Sequence, residues 1–179
     1  MAATRFDGRR IAQNSCLLSH HRRRHLKANR VAVFSAVFLS ASAYLLPAEP
    51  FQALFGRGET EILMACYEFT SRDIAEALEN AAHRGVKVRI VADWKAAHDR
   101  FSQTRILVDA GIPVRLDHRY AIHHHKFVVI DGVAIETGSF NYTTAAIKHN
   151  AENALVLWNV PQIAKVYARE WERLWEESR

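Results

Sequence analysis

A histidine and a lysine two positions apart open the stretch of this sequence with the clearest chemical potential. His124 and Lys126 stand in I-H-H-H-K-F-V-V-I-D-G, just ahead of an apolar run typical of a buried strand. Because side chains two apart on a strand share a face, the imidazole and the ammonium group should point the same way. Ser139 and Asn141, after the next apolar run, add a hydroxyl and an amide. The sequence therefore predicts a polar cluster at one edge of an apolar sheet.

These residue types suit the cleavage of a phosphodiester. An imidazole can attack phosphorus near neutral pH and form a covalent intermediate that water later breaks down. Lys126 can neutralise the phosphoryl oxygens without a metal ion, and Ser139 and Asn141 can hold the same oxygens, so we predict no cofactor. A nucleophilic histidine needs an acceptor on its second ring nitrogen, usually a carboxylate. Glu152, on the next predicted strand, is the candidate, although it could also be an ordinary carboxylate at a strand end.

The same residues form a longer pattern that resembles the HKD signature of the phospholipase D superfamily. It reads H-x-K-x4-D-x6-G-S-x-N, from His124 to Asn141. Similarity to the short bacterial members with one HKD copy extends to Ala65–Ser71, Arg84–Asp93 and the stretch A-E-N-A-L-V-L-W-N. Those members are periplasmic, plasmid-type endonucleases. The resemblance covers the chain from roughly Pro50 to its C-terminus.

This resemblance implies both a fold and an assembly. The fold is α/β, a phospholipase D-like mixed β-sheet flanked by helices on both faces. The mechanism uses two histidines, one that attacks phosphorus and one that protonates the leaving oxygen. The sequence holds a single copy of the motif. We therefore expect a homodimer in which two copies of His124 share one site across a two-fold axis.

Three functions stay open at this point. The first is a metal-independent, non-specific endonuclease that cleaves nucleic acid, DNA rather than RNA being favoured, through a phosphohistidine. The second is a phospholipase D-type hydrolase or phosphatidyl transferase acting on membrane phospholipid, because the same site can cleave any accessible phosphodiester. The third is an inactive binding relic of the fold.

Two groups of polar residues have alternative interpretations. Asp131 belongs to the signature and is retained among the catalytic residues, but Asp-Gly at a hairpin tip is more often turn chemistry, and a structural role is favoured. His118, His123 and His125 could bind a metal, because imidazole is a common ligand. Without an identified carboxylate or cysteine beside them the pattern is weak, so we predict no functional metal.

Alternating patterns predict the remaining elements. Strands are expected at 51–55, 62–69, 86–93, 113–117, 127–130, 133–137 and 154–158, and helices at 71–83, 97–110, 142–148 and from Pro161 onward. Only five residues separate Phe55 from Glu61, which allows a hairpin but not a helical crossover. A helix that single-copy nucleases usually have there is therefore expected to be missing.

Residues 1–48 have the composition of a targeting leader. They hold eight Lys and Arg against one Asp, a net charge of +7, whereas residues 49–179 hold 16 against 18, a net charge of −2. A basic region up to Arg30 precedes an apolar stretch and the cleavage-like Ala41-Ser42-Ala43. We expect an exported protein, periplasmic or secreted, with residues 49–179 as the phospholipase D-like nuclease domain. An uncleaved membrane anchor through residues 31–48 is the alternative.

Overall fold

Strands and helices alternate along the residues that the computed structural model describes, 30–36 and 49–179. The strands are β1 (Arg30–Ala36), β2 (Glu61–Cys66), β3 (Lys87–Asp93), β4 (Val114–Asp117), β5 (Lys126–Ile130), β6 (Ala134–Gly138) and β7 (Glu152–Trp158). The helices are α1 (Glu49–Gly56), α2 (Arg72–His83), α3 (Trp94–Ala97), α4 (Thr104–Asp109), α5 (Thr144–Lys148) and α6 (Pro161–Glu177). The α/β class predicted from the sequence is confirmed.

The strands form one mixed sheet in the order β1-β7-β6-β5-β2-β3-β4. Strands β2, β3 and β4 are parallel, and every other neighbouring pair is antiparallel. Cys66 at the end of β2 therefore lies opposite Lys126 at the start of β5. Strands β3, β4 and β6 end, and β7 begins, on this same side of the sheet, which we call the polar edge.

Unequal helical layers cover the two faces of the sheet. Helices α1, α2, α4 and α5 contribute to the larger core on one face. Helix α6 covers the other face through Ala164, Trp171 and Leu174, and the indole of Trp171 donates to the Met64 carbonyl at 2.8 Å. Met64 and its neighbour Leu63 belong to opposite cores, as a central strand buried on both faces requires.

The predicted strand at 51–55 is wrong, because these residues lie in helix α1. Phe51, Leu54 and Phe55 fall at i, i+3 and i+4, which places them on one side of a helix, and they are 8%, 1% and 0% exposed. A short apolar run fits a strand or a helix equally well, so burial against α2 decides. The helix expected to be missing before β2 is therefore present, and residues 57–60 join a helix to a strand.

Strand β1 lies inside the stretch expected to be a leader. Residues Arg30–Ala36 pair antiparallel with Glu152–Trp158 at the edge of the sheet. The predicted cleavage site at Ala41-Ser42-Ala43 lies outside the described residues, so export and cleavage stay predictions. Cleavage there would separate β1 from the rest of the domain. In the range that the structure describes, no helix has the length and apolar character to cross a membrane.

The helix predicted at 97–110 is also corrected, since the structure has two short helices there, α3 and α4. The side chain of Asp93 caps α3 by accepting from the Ala96 amide at 2.8 Å. Asp99 then accepts from the Phe101 amide at 2.9 Å, a local turn that competes with helical hydrogen bonds. The other predicted elements are confirmed with shifted ends.

Glu136, in the middle of β6, has a buried carboxyl group. Glu136 is 0% exposed, and its Oε2 accepts from the Tyr142 hydroxyl at 2.8 Å. Desolvation raises the pKa of Glu136 to about 8, although the hydrogen bond from Tyr142 opposes the shift. The Tyr142 carbonyl accepts from the amides of Thr70 and Ser71, both at 3.0 Å. Glu136 thus helps to fix the loop after β2 and the residue that follows Asn141.

Glu136 predicts a loss of stability with rising pH. The unfolded chain releases this proton near the ordinary value of 4.5, whereas the folded chain keeps it until about pH 8, so the free energy of unfolding should fall between the two. In Glu136→Gln the side chain at this position stays neutral at every pH. This variant should therefore lose the fall in stability that Glu136 causes, which is roughly 1.4 kcal/mol per pH unit at most. Urea unfolding of both proteins across this pH range measures it. Glu172→Gln, at an exposed glutamate, should keep the wild-type slope, and an unchanged slope in Glu136→Gln would contradict the prediction.

Candidate active site

The ends of three strands bring the predicted residues to the polar edge. His124 lies just before β5, and Lys126 is the first residue of that strand. Ser139 follows β6 directly, and Glu152 begins β7. His124 is exposed to solvent, whereas Lys126 is only 9% exposed. The edge therefore presents an accessible imidazole beside a lysine whose side chain is largely buried.

Lys126 and His124 converge on the ring of Tyr67. The His124 ring lies 4.9 Å from the Tyr67 ring, and the Lys126 Nζ lies 5.3 Å from the same ring centroid. Lys126 Nζ also donates to the His124 carbonyl at 2.9 Å. Burial lowers the pKa of Lys126, while the negative charges of Glu68 and Glu152 oppose that shift. The ammonium group is thus held in place by its neighbours and directed toward the residue that carries the imidazole.

Ser139 and Glu152 are joined across β6 and β7. The Ser139 hydroxyl donates to Glu152 Oε2 at 2.5 Å, and the Asn150 amide donates to Glu152 Oε1 at 2.9 Å. The Ser139 backbone amide donates to Asn153, both to its side-chain oxygen at 2.9 Å and to its carbonyl at 3.1 Å. A Cβ at Gly138 would overlap that carbonyl of Asn153, so the strands approach this closely only because residue 138 is glycine.

The predicted hydrogen bond between Glu152 and His124 does not form within one chain. Both carboxylate oxygens of Glu152 are occupied by Ser139 and Asn150. Among residues 49–179 no side chain forms a hydrogen bond with the ring of His124, whose neighbour is the Tyr67 ring. Within one chain this carboxylate fixes Ser139 and contributes negative charge near Lys126, and its orienting role toward a histidine stays a prediction.

Asp131 lies at the opposite end of β5 from His124. Its Oδ1 accepts from the amides of Thr60 and Glu61 at 2.8 and 2.9 Å and from the Thr60 hydroxyl at 2.7 Å, and its Oδ2 accepts from the Glu59 amide at 3.0 Å. Asp131 and Gly132 both have positive φ, 51° and 63°, as a tight hairpin turn requires. Asp131 fastens this turn to the start of β2. The structure thus separates it from the other predicted catalytic residues and supports a structural role.

Sequence reasoning missed Tyr67 and Glu68 as site residues. Both follow β2 at the polar edge, and Glu68 Oε2 accepts from the side-chain amide of Asn141 at 3.3 Å. Their stretch, Ala65–Ser71, was noted only for its resemblance to the nucleases. A polar pair immediately after a buried strand is the signal that could have identified them, because such positions lie at sheet edges.

The flanking histidines have separate partners. His123 is buried, its Nδ1 lies 2.8 Å from Asp117 Oδ2, and its backbone amide donates to Asp93 Oδ2 at 2.8 Å. His125 lies 3.7 Å from Glu170 on α6. Within the part of the chain that the structure describes, no cluster of three or more candidate side chains has the geometry to hold a metal ion. The network around His123 instead anchors the backbone that presents His124.

Asp131 should contribute to stability rather than to chemistry. Its partial burial alone would raise its pKa, but the hydrogen bonds from residues 59–61 outweigh burial and lower it. Asp131→Ala should therefore reduce the free energy of unfolding at neutral pH by about 1–3 kcal/mol. The difference should shrink as the pH falls through the lowered pKa, where the wild-type carboxylate also loses its charge.

Urea unfolding at neutral and acidic pH tests this prediction. Asp109→Ala, which removes an exposed carboxylate at the end of α4, serves as the matched control and should leave stability nearly unchanged. An Asp131→Ala protein as stable as the wild type at neutral pH would show that the turn does not depend on this carboxylate.

Comparison with known proteins agrees with the fold and the motif. The family model "Cardiolipin synthase, PLD-like domain" matches residues 52–175. The mitochondrial cardiolipin hydrolase of Mus musculus is 36% identical over 124 residues, which are 69% of this chain and 55% of that protein. A phospholipase D of Rickettsia felis is 40% identical over 115 residues, 64% of this chain and 57% of that protein. The chain thus spans about half the length of the curated relatives it matches.

A solved structure extends the match over most of the chain. The phospholipase D family member Nuc from Salmonella typhimurium superposes with a TM-score of 0.77 at 35% identity. The match covers 85% of this chain and 97% of Nuc. Sequence motif, family model and fold agree, and the chain belongs to the phospholipase D superfamily, with one PLD-like domain over residues 52–175.

Proposed function

We propose that this chain is a metal-independent phosphodiesterase that cleaves nucleic acid as a non-specific endonuclease. The observation that carries the proposal is the exposed imidazole of His124 beside the largely buried side chain of Lys126. A nucleophile must be accessible to phosphorus, whereas a charge that stabilises the transition state acts most strongly where water is excluded. The two side chains meet these opposite demands at one edge of the sheet.

The reaction has two displacement steps. The His124 ring attacks phosphorus, so that a nitrogen–phosphorus bond forms as the bond to the leaving oxygen breaks, and a second histidine gives that oxygen a proton. Water then loses a proton to the second histidine and attacks phosphorus, which releases the His124 nitrogen. No oxidant, reductant or co-reactant besides water is needed. Lys126 stabilises the negative charge that accumulates on the phosphoryl oxygens in both steps.

Asn141 and Ser139 differ in how readily each can donate a hydrogen bond to the phosphoryl oxygens. Asn141 Nδ2 carries two hydrogens and uses one toward Glu68, so the other is available to a phosphoryl oxygen. The Ser139 hydroxyl has one hydrogen and donates it to Glu152. In the resting chain Ser139 therefore positions Glu152, and it can bind phosphate only if that hydrogen bond opens. Asn141 is the neutral donor better prepared to hold substrate.

A homodimer supplies the second histidine in this proposal. The described part of one chain brings a single motif histidine, His124, to the polar edge, whereas the two-step reaction needs two. A two-fold axis near this edge would place a second His124 opposite the first. His124 is exposed and has no hydrogen-bonded side chain within residues 49–179. Both features are consistent with a site that another subunit completes.

Nucleic acid is the substrate class we favour. The motif stretches resemble the short single-copy endonucleases, and the similarity to Nuc covers 97% of that chain. Phospholipid is the second candidate, supported by the relatives named cardiolipin hydrolase and phospholipase D. An exported, periplasmic or secreted location, or anchoring through residues 31–48, remains part of the proposal and depends on the basic and apolar character of the first 48 residues.

Plasmid nicking by the full chain in excess EDTA tests the proposed activity. We expect nicking to persist in the chelator and to fall by at least about a thousandfold in His124→Ala, because the nucleophile is lost. His83→Ala, at an exposed histidine at the end of α2, should nick as the wild type does. Turnover of phospholipid without nicking would favour the lipid enzyme. A folded protein with neither activity would favour the inactive relic.

Mixed subunits test the shared site. If both copies of His124 serve one site, a dimer with one His124→Ala subunit should be inactive. An equal mixture of wild-type and His124→Ala chains, unfolded and refolded together, should then retain about a quarter of the activity of the same total amount of wild type. Independent sites would retain about half. Light scattering on each sample confirms the assembly, and a fully active monomer would contradict the proposal.

A further inference from the structure

Two large aromatic side chains are exposed close to the polar edge. Trp94 is 46% exposed and Phe101 is 59% exposed. They stand at the two ends of residues 94–101, which comprise helix α3 and the turn after it, and α3 has no buried residue. Neither ring serves the core. We call residues 94–105 the aromatic segment, and its position suggests a binding role.

The aromatic segment is fastened to the residues that hold His124. Asp93 caps α3 through one carboxylate oxygen and accepts from the His123 amide through the other, both at 2.8 Å. Near the other end, the Gln103 amide donates to the Phe69 carbonyl at 2.9 Å, two residues after Tyr67. The backbone that carries the exposed rings is thus fastened to the backbone next to the proposed nucleophile.

A cleft connects the segment with the candidate active site. Tyr67 and Glu68 from the candidate site line it together with Lys95 and Asp99 from the segment. Tyr67 is the residue against which the His124 ring packs. A chain-like ligand bound at His124 could therefore continue past Tyr67 and along this cleft toward the aromatic segment, which contributes Lys95 and Asp99 to its lining.

The aromatic segment carries positive charge within a negatively charged domain. Lys95, Arg100 and Arg105 are exposed, and Asp99 is the one acidic residue among residues 94–105. The net charge of this stretch is therefore +2, whereas residues 49–179 together have −2. The guanidinium of Arg100 lies 4.3 Å from the centroid of the Phe101 ring. Exposed rings beside cations are the combination that binds unpaired bases and their phosphates.

We propose that the aromatic segment is a stacking platform for single-stranded nucleic acid, with Trp94 and Phe101 holding unpaired bases and the three cations holding phosphates. This rests on the proposed function and adds to it a preference for single strands. Bases in a duplex are already stacked on each other and leave no face for the two rings, whereas a single strand offers every base. Charge alone would attract both forms, so the rings provide the discrimination.

Binding to a catalytically inactive protein tests the platform independently of turnover. In full-length His124→Ala, we expect a fluorescein-labelled oligothymidylate to bind at least about tenfold more tightly than a hairpin duplex of equal charge, measured by anisotropy at fixed salt. Adding Trp94→Ala with Phe101→Ala should weaken single-strand binding at least about tenfold and change duplex binding little. Trp94→Tyr with Phe101→Tyr keeps both rings and should restore binding.

A matched pair on α4 controls for the loss of exposed apolar surface. Ile106 and Val108 are 38% and 52% exposed, and replacing both by alanine should leave single-strand binding unchanged. Circular dichroism of each variant verifies folding. Equal weakening of single-strand and duplex binding, or no weakening, would overturn the platform.

Two further outcomes would assign the rings to another partner and so overturn the proposal. One is that the protein with Trp94→Ala and Phe101→Ala no longer binds phosphatidylglycerol vesicles but still binds oligothymidylate, which would indicate a lipid surface. The other is a change of subunit assembly in sedimentation, which would indicate contact with a second copy. Failure of the nuclease proposal looks different: the wild-type chain would cleave neither plasmid nor oligothymidylate, while ring-dependent binding of the single strand remained.

Discussion

The antiparallel pairing of β5 with β2 is the constraint on which the rest of the structure depends. Both strands are central and buried, and their register places Lys126 opposite Cys66 at the polar edge. That register brings Tyr67 and Glu68, which continue β2, against the residues that open β5. A shift of one residue would turn His124 and Lys126 toward α6 and break both cores. The same pairing sets Asp131 at the far end, where it binds residues 59–61.

Several buried polar side chains surround this pairing. Burying them costs free energy, and each has its own hydrogen-bond or charge partner that offsets the cost. Lys126 donates to the His124 carbonyl and lies near two carboxylates. His123 and Asp117 are buried together, and Glu136 is held by Tyr142 with a raised pKa. Buried polar groups fix geometry strongly, because a displaced partner leaves an unpaired group away from water. These buried hydrogen bonds thus fix the backbone around His124, whose imidazole itself stays accessible to solvent.

Much of this arrangement was predictable, and the errors have identifiable causes. The spacing of His124, Lys126, Ser139 and Asn141 placed them at one edge, because strand periodicity and a short turn leave few alternatives. The predicted strand at 51–55 was wrong because a short apolar run fits both a strand and a helix. The single helix predicted at 97–110 was wrong because Asp99 closes a local turn that interrupts it. The expected contact between Glu152 and His124 does not form within one chain, where the carboxylate oxygens of Glu152 accept from Ser139 and Asn150.

The sequence by itself determined the family, the α/β class and the placement of His124 and Lys126 at one edge of the sheet, since these follow from residue types at short, fixed spacing. Only the tertiary structure decided which residues complete the site. Tyr67 and Glu68 precede Lys126 by more than fifty positions, and the aromatic segment reaches His123 through Asp93. Such contacts depend on strand order and register, which arise from the packing of distant segments and leave no periodic pattern in the chain.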